Sequence, residues 1–233
     1  MANEVFRRKE IKYLLTEDKY KSLMKIIKNK LEKDSYFKST ICNIYFDTSN
    51  YDLIVHSLDK PIYKEKVRLR SYEIPTLDSN VFLEIKKKYA GIVGKRRIEI
   101  KLKDFYKYLE TGELDNTNEQ IKKEIDYCFN IYKLEPKLFL AYDRLSYYDK
   151  DDINFRITFD TNIRSREDNL RLEKGDKGKL YFKDNVIIME TKALNAYPIW
   201  FVKALSELKI YPESFSKYGS IYSDKKKEEL EYV

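Results

Sequence analysis

The feature of this sequence that most constrains its fold is a two-residue alternation of apolar and charged side chains. From Lys64 onward the alternation recurs in segments separated by turn signals, such as residues 75–80 and 91–94. Because successive side chains of a strand point to opposite faces, this period predicts strands with one apolar and one charged face. Strands are predicted at residues 5–15, 40–47, 66–73, 81–88, 95–101, 138–148, 154–160, 170–173 and 186–192. The sequence therefore predicts a β-rich fold built from hairpins.

Segments with helical spacing lie between these strands. Thr16 precedes Glu17 and Asp18, which predicts a helix N-cap followed by acidic residues in the first turn. The apolar stripe expected for that helix is Leu23, Met24, Ile26, Ile27 and Leu31. Further helices are predicted at residues 104–110, ended by Gly112, at residues 118–132 and after Pro198, whereas residues 51–56 are ambiguous. No repeat or composition break marks a second domain, so residues 1–233 are expected to form a single domain.

The charged positions repeat one pattern in five of the predicted strands. The charged face of these strands carries Arg68 and Arg70; Glu84, Lys86 and Lys88; Lys95, Arg97 and Glu99; Arg156, Thr158 and Asp160; Glu190 and Lys192. A solvent-exposed face would explain any one of these strands by itself. Five such strands, in a chain with a net charge of +7, favour a closed sheet with helices outside and a wet, basic interior that binds an anion.

The cysteine and histidine content excludes several classes of site. Cys42 and Cys128 are the two cysteines, and their spacing matches neither a zinc site nor a disulfide framework. His56 is the single histidine, which excludes an imidazole metal cluster and a Ser-His-Asp triad within one chain. No apolar run approaches the ~18 residues of a membrane span, and the first residues lack the apolar core of a signal peptide. We therefore expect a cytoplasmic protein, for which a peripheral membrane partner stays possible.

Eight short segments carry a family resemblance. They are EIKY at Glu10, IYFDT at Ile44, VRLRSY at Val67, FLEIKKK at Phe82, YDRLSY at Tyr142, FRITFDT at Phe155, METK at Met189 and FSKY at Phe215. In this order and spacing they resemble the VTC domain, which is the polyphosphate polymerase domain of the vacuolar transporter chaperone complex. That domain belongs to the triphosphate tunnel metalloenzyme (CYTH-like) superfamily. The resemblance runs from about residue 6 to about residue 222.

The resemblance implies an α+β fold, an antiparallel eight-stranded β-tunnel with helices packed outside. It also implies that basic side chains inside the tunnel bind a triphosphate and that an acidic residue holds a divalent metal, Mn²⁺ or Mg²⁺. Carried over by motif, the phosphate-binding residues would be Lys12, Arg68, Arg70, Lys86, Arg144, Arg156, Lys192, Ser216 and Lys217. Glu190 would be the metal ligand, with Glu10 as a further candidate, and Glu84 would either hold a neighbouring lysine or assist the metal.

Three positions depart from the family pattern. The superfamily signature ExExK is represented by Arg8-Lys9-Glu10-Ile11-Lys12, which lacks the first glutamate and makes a second metal site less expected. The family's lysine in the strand of residues 95–101 corresponds to Lys95 or Arg97, because the preceding hairpin differs in length. Ser214 stands where a further basic residue is expected.

The leading functional hypothesis is an ATP-dependent polyphosphate polymerase, which transfers the γ-phosphoryl group of ATP onto a growing polyphosphate chain. With water as the acceptor, the same site would make an inorganic or nucleoside triphosphatase. The third alternative is a non-catalytic module that binds polyphosphate or RNA. RNA is disfavoured, and no nucleic acid is expected, because glutamate alternates with arginine on the charged faces and would weaken a surface that follows a nucleic-acid backbone.

Overall fold

The computed structural model describes residues 9–90, 92–114, 118–182, 184–194 and 196–231. The strands are β1 (Lys9–Leu15), β2 (Leu31–Asp47), β3 (Tyr63–Tyr72), β4 (Asn80–Tyr89), β5 (Ile92–Lys101), β6 (Glu135–Asp149), β7 (Arg156–Arg166), β8 (Lys179–Leu180) and β9 (Ile187–Ala193). The helices are α1 (Glu17–Ile27), α2 (Asp52–Leu58), α3 (Leu102–Thr111), α4 (Glu119–Tyr132), α5 (Ile199–Glu207) and α6 (Lys217–Glu231). None of the helices in the described part of the chain combines the length and apolar content needed to cross a membrane.

The strands form one sheet in the order β1-β9-β7-β6-β2-β3-β4-β5, and the two-residue β8 pairs with β7. Among the described residues, β1 and β5 are the strands at the two ends of this order. β1 and β7 each pair antiparallel with β9, and β3 pairs antiparallel with β2 and with β4, which in turn pairs antiparallel with β5. The prediction of an α+β chain with an antiparallel sheet is confirmed.

The described chain divides into two compact units. The first unit contains the described residues up to Thr40, together with Tyr142–Ile163 and Leu180–Phe215. The second unit contains Ile41–Ala141, Arg164–Lys179 and the described residues from Ser216 onward. Strands β2, β6 and β7 each pass from one unit into the other. The expectation of a single domain stays a prediction.

The core of the first unit lies between strands and two helices. Tyr13 of β1, Phe159 of β7 and Met189 of β9 are buried against apolar residues of α1 and α5. The helix α1 begins where the sequence predicts, because the Thr16 hydroxyl accepts a hydrogen bond from the Lys19 amide at 3.3 Å. Since these helices cover the apolar face of the strands, Glu10 and Lys12 of β1, Arg156 of β7, and Glu190 and Lys192 of β9 lie on the opposite face.

The core of the second unit has the same layering. Leu69 of β3, Leu83 of β4 and Ile98 of β5 are buried with Phe105 of α3 and Ile125 of α4. Gly112 ends α3 with φ at +72°, the left-handed conformation that makes glycine the usual residue at this position. Arg68, Glu84 and Arg97 lie on the opposite face of these strands, whereas Lys87 and Arg96 lie on the face of α4 and contact Glu124.

Two predicted elements are wrong. Leu31 does not continue α1, which ends at Ile27; after one 3₁₀ turn, Leu31 begins β2 and its side chain is buried in the core of the first unit. Residues 170–173 do not form a strand, because residues 172–174 form a 3₁₀ turn. The guanidinium of Arg166 donates to the carbonyls of Arg171 and Gly175, both at 3.0 Å, and so holds this segment in a compact loop.

Two other segments, whose secondary structure the sequence left open or missed, are helices. Of the ambiguous residues 51–56, Tyr51 is the N-cap of α2 and the others lie within it, and the Leu53 and Ile54 amides of α2 donate to the carboxylate of Asp47. The helix α6 was not predicted. Residues 5–8 of the first predicted strand and Gly91 of the predicted turn lie outside the described residues.

Candidate functional site

The second unit has a basic face on β2, β3, β4 and β5. Directly paired residues of an antiparallel sheet point to the same side, and the register pairs Arg68 with Tyr45 and with Glu84, and Glu84 with Arg97. The same register pairs Arg70 with Asn43, and Lys86 with Lys66 and with Lys95. The structure therefore brings five predicted phosphate-binding residues of three strands onto one face, together with Glu84.

Glu84 lies at the centre of this basic face and is 1% exposed. Its Oε2 accepts hydrogen bonds from Nε and Nη2 of Arg68 at 2.8 and 2.7 Å, and the Nζ of Lys95 lies 2.5 Å from its Oε1. Burial by itself raises the pKa of Glu84, but the positive charges of Arg68, Arg70 and Lys95 outweigh burial and lower the pKa to about 2. Glu84 is therefore ionised at neutral pH and fixes two basic side chains in place.

Two further basic side chains of this face contact uncharged groups. Arg70, 6% exposed, donates from Nε to the side-chain oxygen of Asn43 at 2.9 Å. The guanidinium of Arg97 lies 4.7 Å from the ring centre of Phe82 and is exposed. By residue count the basic face carries more positive than negative charge, which favours an anion: its basic residues are Lys66, Arg68, Arg70, Lys86, Lys95 and Arg97, and its acidic residues are Glu84 and Glu99.

The start of α6 contacts the same basic face. The Nζ of Lys66 donates to the hydroxyl of Ser216 at 2.9 Å, and that hydroxyl also accepts from the Gly219 amide at 3.2 Å. Lys217, the first residue of α6, is 8% exposed. Lys66 was missed as a site residue by the sequence analysis, although its two-residue spacing from Arg68 was available as a signal.

The first unit has a second polar face, on β1, β7 and β9. The register pairs Lys12 with Glu190, Glu10 with Lys192, and Arg156 with Lys192. The Nζ of Lys192 lies 2.8 Å from Oε1 of Glu190, and the Nζ of Lys12 lies 4.0 Å from Oε2 of Glu190. Lys12 also donates to the carbonyl of Phe215 at 3.0 Å. Glu190, 8% exposed, therefore lies between two lysines.

The two predicted arginines of the first unit also contact carboxylates. Arg144 donates from Nε and Nη2 to the two oxygens of Asp160, at 2.6 and 2.8 Å, and Asp160 is fully buried. Burial lowers the pKa of Arg144, but the Asp160 carboxylate outweighs burial and raises it above the ordinary value. The Nη1 of Arg156 lies 3.5 Å from Oδ2 of Asp34. Each predicted lysine and arginine of the first unit therefore contacts an acidic side chain, and Lys12 and Lys192 contact the same one, Glu190.

Two of the three predicted metal ligands share the polar face of the first unit. Because Glu10 is paired with Lys192 and Glu190 with Lys12, the two glutamates are diagonal neighbours on adjacent strands. Mg²⁺ and Mn²⁺ prefer carboxylate oxygens, and one or two carboxylates completed by phosphate oxygens are a usual Mg²⁺ site. The described part of the chain contains no group of three or more histidine, cysteine and acidic side chains placed to hold a metal. The pair supplies two carboxylates on one face, of which Glu190 also lies beside Lys12 and Lys192.

The remaining predicted positions are placed as follows. Glu84, the third metal candidate, belongs to the second unit, and both of its oxygens contact basic groups. This placement corresponds to the first of its two expected roles, holding a neighbouring lysine. Arg8 of the signature lies outside the described residues, and Ser214 is exposed in the segment before α6.

Comparisons with known proteins identify the family and the fold of this chain. The family model of the VTC domain matches residues 7–223. A candidate adenylate cyclase from Bacillus halodurans has a similar structure, with a TM-score of 0.57 and 13% sequence identity over 93% of this chain and 96% of that chain. A candidate adenylate cyclase from Vibrio parahaemolyticus gives a TM-score of 0.53 and 14% identity over 95% of this chain and 99% of that chain. No curated protein matches the sequence. At these identities the solved structures show the fold alone, and they confirm the fold class that the resemblance implied.

Proposed function

This chain belongs to the VTC domain family, and from that premise we propose that it is a polyphosphate polymerase that uses ATP as the phosphoryl donor. Family membership supports a function that involves triphosphate or polyphosphate. The observation that carries the proposal is the surplus of positive charge on the basic face of the second unit, organised around the buried Glu84. A preformed cluster of cations stabilises the negative charge that spreads over the phosphate oxygens during transfer.

The proposed reaction needs no protein nucleophile. A terminal oxygen of polyphosphate attacks the γ-phosphorus of ATP and forms the new P–O bond, while the bond from the γ-phosphorus to the bridging oxygen of ADP breaks. Arg68 and Arg70 would each bind phosphate oxygens through the forked guanidinium, and Lys86 and Lys95 would act as point charges. By the family resemblance, Arg144 and Arg156 would join Arg68, Arg70 and Lys86 as catalytic residues. The further substrate-binding residues would be Lys12, Arg97, Lys192, Ser216 and Lys217.

A divalent metal, Mn²⁺ or Mg²⁺, is part of the proposal. When bound, such an ion supplies positive charge to phosphate oxygens and lowers the repulsion between donor and acceptor. Glu190 and Glu10 are the residues proposed to hold it, because they are neighbours on one face and carry the oxygen ligands that hard cations prefer. Glu84 is proposed to orient Arg68 and Lys95 and not to bind the metal.

The experiment that tests the reaction type is an analysis of products. Purified protein is incubated with ATP and Mn²⁺, and the products are separated on a gel that resolves polyphosphate by length. ADP together with a ladder of polyphosphate is the expected result. Free phosphate as the sole phosphorus product identifies a triphosphatase, and intact ATP with retained triphosphate binding identifies a non-catalytic binding module.

The role of Glu190 is tested separately with Glu190→Gln. A metal-ligand glutamate loses the charge that holds Mn²⁺, so the variant is expected to lose turnover at ordinary metal concentrations and to retain metal-free triphosphate binding. If Glu190 is only the ion-pair partner of Lys192, the variant should bind triphosphate at least as tightly and keep its turnover. Glu207→Gln is a matched control, because Glu207 is an exposed carboxylate at the end of α5 and lies outside both polar faces.

A further inference from the structure

Two stacked tyrosines of the second unit use their hydroxyl groups differently. The rings of Tyr45 and Tyr218 stack with centroids 4.8 Å apart. The Tyr218 hydroxyl donates to Oδ2 of Asp47 at 3.0 Å. The Tyr45 hydroxyl accepts a hydrogen bond from Nη1 of Arg68 at 3.3 Å, and within the described residues it has no acceptor for its own proton. The Tyr218 hydroxyl therefore donates its proton to an acceptor, whereas the Tyr45 hydroxyl has no acceptor among the described residues.

The unused proton of Tyr45 points to a ligand. Tyr45 is 7% exposed, and a buried hydroxyl normally finds an acceptor because leaving the donor unpaired costs free energy. The register places Tyr45 opposite Arg68 on the basic face, and Arg70 and Lys66 occupy the same face of β3. An oxygen atom that approaches Arg68 would be an acceptor for this proton as well.

The charges around Tyr45 favour the same ligand chemistry. Burial raises the pKa of Tyr45, but Arg68, Arg70 and Lys66 outweigh burial and lower the pKa to about 8. From α6, the neutral Tyr218 covers the ring, and Lys217 precedes it. The hydroxyl is therefore surrounded by positive charge, as an anion-binding donor would be.

The orientation of Tyr45 is fixed by groups that do not face the anion. Tyr218 holds the ring by stacking, and Asp47 holds Tyr218. Asp47 is fully buried and also accepts hydrogen bonds from the amides of Thr48, Leu53 and Ile54, so its carboxylate cannot easily shift. Burial raises the pKa of Tyr218, as does the neighbouring Asp47, which keeps the Tyr218 proton on its hydroxyl and the bond to Asp47 intact.

We propose that Tyr45 is a further substrate-binding residue, whose hydroxyl donates to a phosphate oxygen held by Arg68, and that Tyr218 and Asp47 are its positioning residues. This inference rests on the proposed function, since it assigns a contact to the same triphosphate. It adds a pH dependence that arginines do not have. Deprotonation of Tyr45 removes the donor and places a negative charge next to the anion, so binding weakens above about pH 8.

The test compares Tyr45→Phe with wild type by calorimetric titration with inorganic tripolyphosphate, without metal, at pH 7 and pH 9.5. At pH 7 the variant is expected to bind about tenfold more weakly, since it lacks one hydrogen bond to a charged group. At pH 9.5 the difference should vanish or reverse, because wild type then carries the phenolate. Partial burial also lowers the pKa of Lys95 to about 8, but Lys95 is present in both proteins and cancels in the comparison. Tyr222→Phe is the matched control, because Tyr222 of α6 also packs against a tyrosine, Tyr51, and it should leave the affinity unchanged at both values of pH.

A second measurement follows the Tyr45 proton directly. The phenolate absorbs near 295 nm, and the wild-type titration minus that of Tyr45→Phe should show one group with a midpoint near pH 8. Saturating tripolyphosphate should raise this midpoint, because a bound anion disfavours the phenolate. Equal affinities of wild type and Tyr45→Phe at both values of pH, or a midpoint that tripolyphosphate leaves unchanged, would overturn the role of Tyr45 and leave the proposed function standing. Failure of wild type to bind tripolyphosphate at all would overturn both.

Discussion

The two polar faces of this chain follow the same strand pattern and differ in charge balance. On the basic face of the second unit, the Glu84 carboxylate contacts Arg68 and Lys95, Arg70 donates to the amide oxygen of Asn43, and the Arg97 guanidinium lies over the Phe82 ring. In the first unit, by contrast, the cations contact acids: Arg144 contacts Asp160, Arg156 contacts Asp34, and Lys12 and Lys192 share Glu190.

The difference in charge balance indicates which ligand each face is suited to bind. A face with surplus positive charge stabilises an anion. The basic face of the second unit is therefore the stronger candidate for binding phosphate. A face whose positive charges are matched by carboxylates keeps oxygen ligands close to phosphate-binding groups, which suits a metal ion bound together with a phosphate. The same alternation of residues thus serves two kinds of electrostatic environment.

The largest expected effect comes from the buried ion pair of the first unit. Asp160→Asn leaves the buried guanidinium of Arg144 without its charged partner, and breaking such a pair costs about 3–5 kcal/mol in the free energy of unfolding. Urea unfolding of the variant at pH 7 measures this loss. A loss below about 1 kcal/mol would show that the pair is solvated. It would also remove the contrast between the matched charges of the first unit and the surplus positive charge of the second.

The next effect is a pH dependence that belongs to Glu84. Its pKa is lowered from 4.5 to about 2 in the folded protein, so its contribution is fully present above pH 4.5 and is lost as pH falls from 4.5 towards 2. The contribution at neutral pH is about 3 kcal/mol, since one pKa unit corresponds to about 1.4 kcal/mol. Unfolding free energies of wild type and Glu84→Gln should therefore differ at pH 7 and converge near pH 2. A difference independent of pH would assign the effect to packing.

A smaller effect is expected on ligand affinity. Arg70→Ala should weaken tripolyphosphate binding by about 1.5–3 kcal/mol, the usual range for a hydrogen bond to a charged group. Calorimetric titration measures this change. Arg96→Ala is the matched control, because Arg96 lies on the other face of β5, near Glu124, and removes the same charge. Equal losses in both variants would mean that net charge, and not the basic face, determines binding.

The smallest expected effect concerns the exposed pair of the first unit. Arg156 is half-exposed, with 51% of its side chain accessible, and its contact with Asp34 is 3.5 Å long. Asp34→Asn should change the free energy of unfolding by less than about 1 kcal/mol, as is usual for exposed pairs. Urea unfolding of Asp34→Asn and of Asp160→Asn measures the loss of unfolding free energy for both pairs, which lie in the same unit. A loss as large as that of Asp160→Asn would show that exposure does not distinguish the two pairs.

The charged faces could be predicted because the side on which a strand residue points depends on local sequence alone. The alternation around Arg68 and Arg70, and around Glu190 and Lys192, matches the faces found in the structure. The ion pairs could not be predicted, because they depend on register and side-chain reach. Glu84 is paired in register with Arg97 but contacts Lys95, a choice that the hairpin length left open in the sequence.

The missed helices and site residues have long-range causes. The N-terminus of α2 is stabilised by Asp47, which lies six residues before Leu53 at the end of β2, so the local sequence of residues 51–56 does not contain its own cap. The helix α6 has buried residues in its first two turns and is charged from Asp224 onward, so its apolar stripe is short. Tyr45 was missed because its role depends on a bond from Arg68 and a ring from α6.

The pairing of β1 with β9 also sets an order for folding on the ribosome. Hairpins β3–β4 and β4–β5 join neighbours in sequence, whereas Lys12 of β1 is paired with Glu190 of β9. At about 5–20 residues per second, the ribosome needs roughly ten to forty seconds to travel from one to the other. Throughout that interval β1 has exposed hydrogen-bonding groups and an apolar face without its native partner, which is the state that aggregates and that chaperones bind. The nascent chain is therefore expected to depend on chaperones through its first strand, until β9 has left the exit tunnel.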